Sequence, residues 1–158
     1  MRICFVCQGN IIRSPLAKNI FLQLAEEKGV EDKYEVDSAG TIAFHAGERP
    51  DSRMREVAAD RGLVYSGRAR QFNRDDFDKF DLVIAMDKEN KYSLLSWAVS
   101  PDQEDKIRLM REFDPEAGAN LDVPDPYYGC PGGFISTFDI IKRACEGLMK
   151  DLESELSS

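Results

Sequence analysis

Arg2-Ile3-Cys4-Phe5-Val6 is an apolar, β-prone run that leads straight into Cys7-Gln8-Gly9-Asn10-Ile11-Ile12-Arg13-Ser14-Pro15, and this junction constrains the fold more than any other stretch. The run reads as a buried strand. From Pro15 to about Lys28 the pattern turns helical, with Leu16, Ala17, Ile20, Phe21 and Leu24 on one face and Gly29 as the stop. A strand, a short loop and a helix N-terminus in that order gather unpaired backbone amides at one spot. The helix dipole favours negative charge there, so an anion site is expected at the end of the first strand.

Cys7 opens that loop and Arg13 closes it. A thiol ringed by amide donors beside a guanidinium is stabilised as thiolate, with a pKa expected to fall from about 8.5 to roughly 3.5–7.5. The loop from Gln8 through Gly9, Asn10, Ile11 and Ile12, with the planar fork of Arg13, suits a phosphate dianion. A nucleophile beneath a cradled phosphorus is placed for in-line displacement. Gly9 lets the backbone turn closely, and Asn10 tolerates a left-handed conformation. Ser14 could donate a hydrogen bond to the sulfur and stabilise it as a leaving group. Cys4 lies three residues earlier in the strand, faces the other way and reads as a small buried hydrophobe.

Val6-Cys7-Gln8-Gly9-Asn10-Ile11-Ile12-Arg13-Ser14-Pro15 resembles the signature loop of the low-molecular-weight protein tyrosine phosphatases. The resemblance implies that Cys7 is the nucleophile and Arg13 the phosphate-binding catalytic arginine. There is one departure. Many members of that family carry a second cysteine where this chain has Ile12, and that thiol can pair with the oxidised nucleophile. Here that route is expected to be absent.

Further along, Lys33–Ser38 reads as a short strand ending in a turn, Ala39-Gly40-Thr41. Asp37-Ser38-Ala39-Gly40-Thr41 matches a family segment whose serine buttresses the phosphate loop. The resemblance therefore makes Ser38 a candidate to position Asn10, beside the plain alternative of a serine capping a turn. Residues 42–50 have no periodicity and read as a loop. In the family this loop walls the cleft, and Phe44 falls where an aromatic flanks the substrate ring. His45, the only histidine, reads as a solvated side chain. A helix capped by Asp51 or Ser52 follows, with Met54, Val57 and Ala58 inward and Gly62 as its end. Arg68 and Arg70 read as solvated loop residues. Asn73 through Phe80 reads as a short helix capped by Asn73.

Asp81–Met86 is a near-continuous apolar strand of the kind buried on both faces of a parallel sheet. Asp87 is expected to cap a helix from about Lys88 to Trp97, a structural role and not a catalytic one. Lys106–Met110 reads as a fourth strand and Phe113–Val123 as a surface loop. In Pro124-Asp125-Pro126-Tyr127-Tyr128-Gly129, two prolines restrict the backbone on both sides of a carboxylate. Such a group is suited to giving a proton to a leaving oxygen, although an Asx turn would leave the same local signature. The segment looks like the general-acid loop of the same family, which implies Asp125 as acid and base and Tyr127 and Tyr128 as cleft residues. The chain closes on a helix with Phe134, Phe138, Ile141, Cys145, Leu148 and Leu152 along one apolar stripe.

Strands alternating with helices imply an α/β three-layer sandwich: a four-stranded parallel twisted sheet with helices on both faces, built as one domain over residues 1–158. The first loop then sits at the carboxyl edge of the sheet, where such folds bind ligands. The net charge of −8 argues against a nucleic-acid surface or an anionic membrane as partner. Four cysteines without framework spacing point to a reduced cytoplasm, and with a single histidine they make a metal site unattractive; no cofactor is expected. The expected partner is a phosphotyrosine-bearing protein, met by a monomer or weak dimer. Two rivals share the loop. Arsenate reductases need relay cysteines near the segment after the third strand, and Phe80–Trp97 contains none. A phosphotyrosine-binding module without turnover would leave Asp125 without a purpose.

Overall fold

The computed structural model describes residues 1–127, 129 and 132–157; Tyr128 and Cys130 lie outside the described residues. Four strands, β1 (Arg2–Cys7), β2 (Glu35–Gly40), β3 (Leu82–Ala85) and β4 (Ile107–Leu109), form one sheet in the order β2-β1-β3-β4. Every pairing is parallel, as the apolar, doubly buried character of β1 and β3 requires. The helices are α1 (Arg13–Glu27), α2 (Ser52–Asp60), α3 (Asp76–Lys79), α4 (Lys88–Trp97), α5 (Pro101–Asp105) and α6 (Gly132–Ser157).

The two-residue period of β1 divides the core. Ile3, Phe5 and Cys7 face one layer, where Leu16, Ile20 and Phe21 of α1 meet the α6 stripe of Phe134, Phe138, Ile141, Cys145, Leu148 and Leu152. Cys4 and Val6 face the opposite layer, with Phe72, Phe77, Phe80 and Leu94. The sheet therefore has helices on both faces. The chain passes from β1 to β2 on one side, then crosses from β2 to β3 on the other side of β1. The loop after β1 thus lies at the switch point, at the carboxyl edge.

Several boundaries differ from the sequence reading. Helix α1 starts at Arg13, not Pro15, with Ile12 as a cap that offers no side-chain bond, so Arg13 and Ser14 occupy the first turn. The second strand starts two residues late, because Glu31–Lys33 is a 3₁₀ turn. It runs on through Ala39 and Gly40, which pair with Val6 and Cys7 and so do not turn. Cross-strand pairing overrides the turn preference of glycine here. Helix α3 is shorter than expected, and the Asn73 side chain accepts from the Asp75 amide ahead of it. Met54 and Ala58 of α2 are buried as expected, while Val57 is only half-buried. Helix α5 was not foreseen; Ser100 accepts from the Gln103 amide and Pro101 opens the first turn. Residues 113–123 are not wholly a surface loop. Phe113 ends a 3₁₀ turn, and the buried Asp114 pairs with Arg111 and Arg143.

Candidate active site

The loop from Gln8 to Ile12 is turned inside out by its neighbours. The Gln8 carbonyl accepts from the Ile42 amide, and the Ile11 carbonyl from the Asp51 amide. The Tyr65 hydroxyl donates to both the Ile11 and Ile12 carbonyls, at 3.1 and 2.7 Å. Since each peptide is planar, carbonyls drawn outward turn their amides inward. Two further amides, the Asn10 and Ser14 N–H groups, donate to Cys7 Sγ at 3.3 and 3.5 Å. The Ser14 hydroxyl lies 3.0 Å from the same sulfur. Asn10 has φ +57°, the left-handed conformation expected of it.

Behind the loop, Asn10 Nδ2 donates to Ser14 Oγ at 2.8 Å and to Ser38 Oγ at 3.0 Å. Ser38 is thus in hydrogen-bond contact with Asn10, the residue it was a candidate to position. Asn10 Oδ1 accepts the Arg70 amide at 2.9 Å. The Arg70 side chain is no solvated loop residue: it pairs with Asp37 and with the buried Asp76. Arg68 donates to the Gly47 carbonyl. At Gly40, a Cβ would stand 2.6 Å from the Gln8 carbonyl oxygen, so no side chain fits beneath the loop.

Arg13 is 2% exposed, and a charge so placed needs partners. Its Nη1 donates to Asp87 Oδ2 at 2.7 Å and to the Val123 carbonyl at 2.9 Å, while Nη2 lies 3.5 Å from Asp125 Oδ2. Burial works to lower the guanidinium pKa. The charges of Cys7, Asp87 and Asp125 and the Asp87 hydrogen bond outweigh it and hold the pKa above its ordinary value. Asp87 does cap α4, through Oδ1 and the Asn90 amide, as expected. Its other oxygen fixes the orientation of Arg13, a function that the sequence reading missed. Burial, the charge on Cys7 and the charge on Asp51 together push the Tyr65 phenol well above its usual pKa, so it remains a donor to the loop.

These elements enclose a cleft of about 250 Å³. Its floor is Cys7, Gln8, Gly9, Ile11, Ile12 and Arg13, and its walls are Ile42, Phe44, His45, Asp125 and Tyr127. Asp125 faces the cleft with its side chain 38% exposed. Its Oδ1 also accepts the Tyr127 amide at 3.0 Å, so the Asx turn and the cleft-facing carboxylate coexist. Phe44 is 81% exposed at the rim. His45 is not solvated; its ring lies edge-on to Phe44 and its Nδ1 is 2.8 Å from Glu48 Oε2. Tyr128, the remaining cleft candidate, is outside the described residues. Among the described residues no group of His, Cys, Asp or Glu is arranged to hold a metal ion, and no helix is long and apolar enough to cross a membrane.

The model of the low molecular weight phosphotyrosine protein phosphatase family matches residues 2–158. A low molecular weight protein-tyrosine-phosphatase of Streptomyces coelicolor is 41% identical over 156 residues, 98% of this chain and 95% of that protein. Among solved structures, a protein tyrosine phosphatase of Entamoeba histolytica, crystallised with Hepes in its active site, is similar with a TM-score of 0.93 and 39% identity over 98% of both chains. A Drosophila arginine phosphatase is similar with a TM-score of 0.88 and 30% identity over 96% of this chain and 98% of that one.

Proposed function

Because the chain belongs to the low molecular weight phosphotyrosine protein phosphatases, we propose that it hydrolyses phosphotyrosine and other aryl phosphate monoesters through a phosphocysteine intermediate, with no metal ion. The observation that carries this reading is the sulfur of Cys7. It receives two loop amides and lies beside the Ser14 hydroxyl on the floor of a cleft that Asp125 faces from the wall.

The phosphate dianion sits in the loop from Gln8 to Arg13, and the Cys7 thiolate attacks phosphorus. The S–P bond forms as the aryl O–P bond breaks, and Asp125, protonated in the complex, gives its proton to the departing phenolate oxygen. Charge on the equatorial oxygens goes to the loop amides and to the Nε–Nη2 edge of Arg13, because Asp87 and Val123 already occupy Nη1. These donors do the work that a divalent cation does in other phosphoryl transfers. Asp125, now a base, takes a proton from water as it attacks phosphorus, and Ser14 donates to the sulfur as it departs. Phe44 and Tyr127 flank the aromatic ring of the substrate. Ser38 acts only through Asn10. Residues 1–158 work on this reading as one domain in a reducing cytoplasm, on phosphotyrosine-bearing proteins, as a monomer or weak dimer.

The test is hydrolysis of a simple aryl phosphate in EDTA at mildly acidic pH. Wild type turns over with a bell-shaped pH profile on the acidic side of neutrality, and Cys7→Ser is inactive. Asp125→Ala loses about 10²- to 10⁴-fold, the worth of general acid catalysis. Absence of turnover in folded wild type, with phosphate still bound, would make this a binding module. The likeness to an arginine phosphatase supplies a second reading, in which the cleft takes a phosphorylated guanidinium. A phosphoarginine substrate run beside the aryl phosphate, compared by kcat/KM, decides between them.

A further inference from the structure

Besides the contacts of Arg13 with Val123 and Asp125, the Asp125 loop is tied to the phosphate loop through a surface bridge that the reaction scheme leaves unused. Asp51 caps α2 by accepting the Arg53 amide, and its own amide donates to the Ile11 carbonyl at 2.8 Å. Its carboxylate holds the Arg53 guanidinium in a two-point grip, Nε to Oδ1 at 3.1 Å and Nη2 to Oδ2 at 2.8 Å. The remaining Nη1 donates to the Tyr127 carbonyl at 3.3 Å. The same guanidinium lies over the Tyr127 ring, 5.3 Å from its centroid, and the Phe134 ring, 4.7 Å from its centroid. Tyr127 in turn donates its amide to Asp125 Oδ1. An unbroken chain of contacts thus runs from Ile11, in the loop that cradles phosphate, to Asp125. Burial works to raise the Asp51 pKa, but the hydrogen bonds and charge of Arg53 hold it below its ordinary value, so the bridge is ionised across the acidic working range.

We propose that Arg53 is a positioning residue that registers the proton-donating carboxyl of Asp125 against the phosphate loop. The inference rests on the phosphatase reading above. The physics is that of proton transfer: a donor must be held within hydrogen-bond reach of the departing oxygen, and small misplacements are costly. A lysine could meet Asp51 or Tyr127 but could not grip one with two nitrogens while donating to the other with a third.

The test uses full-length enzyme and a series of aryl phosphates whose leaving phenols span a wide pKa range. Poor leaving groups need the acid and good ones do not. Arg53→Met should lose about tenfold in kcat/KM, which reports the step that expels the phenol, on the poorest leaving groups and little on the best. Arg53→Lys should fall between. Competitive inhibition by inorganic phosphate should be unchanged, because the phosphate loop is intact. In an Asp125→Asn background, adding Arg53→Met should cost nothing more. An equal loss on every substrate, a weakened phosphate inhibition, or full additivity with Asp125→Asn would overturn the proposal. If Asp125→Asn itself shows no dependence on the leaving group, the general-acid reading fails, and the inference fails with it for that distinguishable reason.

Discussion

At the scale of single residues, the side chain with the plainest consequence is Ile12. It is buried on the floor of the cleft, 3% exposed, at the position where the family resemblance implied a second thiol. The other described cysteines do not substitute for it. Cys4 belongs to the core layer on the far side of the sheet from Cys7, and three residues of strand separate their Cα atoms by about 10 Å, beyond the reach of a disulfide. Cys145 is buried in α6, its Sγ 3.6 Å from the Ala17 carbonyl, and burial pushes its thiol far up in pKa, away from reactive thiolate. With no partner for Cys7 among the described cysteines, oxidised Cys7 should advance to the irreversible acids. Treated with peroxide and then with a thiol reductant, wild type should recover little activity and Ile12→Cys should recover most of it. Full recovery of wild type, with a disulfide from Cys7 to another cysteine mapped by mass spectrometry, would defeat the argument.

At the scale of elements, α4 does two things through one residue. Asp87 Oδ1 caps the helix at the Asn90 amide and Oδ2 orients Arg13. Asp87→Ser keeps the capping oxygen but cannot reach Arg13, so stability should fall only by the cost of leaving the buried Arg13 with one partner fewer, while phosphate inhibition weakens and kcat/KM falls, each by about tenfold for one charged hydrogen bond lost. Asp87→Ala should add a stability loss of about 1 kcal/mol for the missing cap. Thermal melts and phosphate inhibition constants measured together separate the two roles, and equal behaviour of the variants would show that they are not separable. Asp87 also shows what the sequence made legible. Its capping role was readable because the signal is local: an acceptor just before an amphipathic helix. Its hold on Arg13 spans 74 residues and was not. The same division holds elsewhere. The β1 strand, the loop through Arg13, the α6 stripe and the proline-flanked Asp125 are contiguous patterns. Arg53, Tyr65, Arg70 and His45 owe their places to partners brought by the fold; read locally, Arg70 and His45 were solvated side chains, and Arg53 and Tyr65 carried no signal at all. Helix α5 is the exception. Ser100-Pro101-Asp102-Gln103 carries a recognisable start signal, but five residues are too few for periodicity to support it.

For the whole molecule, the question is whether the fold survives the acidity in which its chemistry is expected to run. Asp114 packs with no exposed side-chain surface against Arg111 at 3.0 Å and Arg143 at 2.6 Å, joining the turn after β4 to the middle of α6. Burial works to raise its pKa. The hydrogen bonds of Arg143, the Glu116 amide and Arg111 overcome that and hold it below the ordinary carboxylate value. A carboxylate depressed in the folded state stabilises fully above its unfolded pKa of about 3.9, and that stability is lost as pH falls through the lower, folded value. Asp51 has the same sign, through Arg53. Neither group therefore loosens the fold between about pH 5 and pH 7, and acid unfolding should begin only below about pH 4. The acid limb of the activity profile should then report chemistry, not unfolding. Asp114→Asn leaves two arginines facing a neutral partner and should cost about 3 kcal/mol near neutrality, the low end for breaking a buried pair. It should also flatten the acid limb of a melting-temperature-against-pH curve, because the group whose protonation drives that limb is gone. An unchanged acid slope in Asp114→Asn would place the acid sensitivity of the fold in other carboxylates.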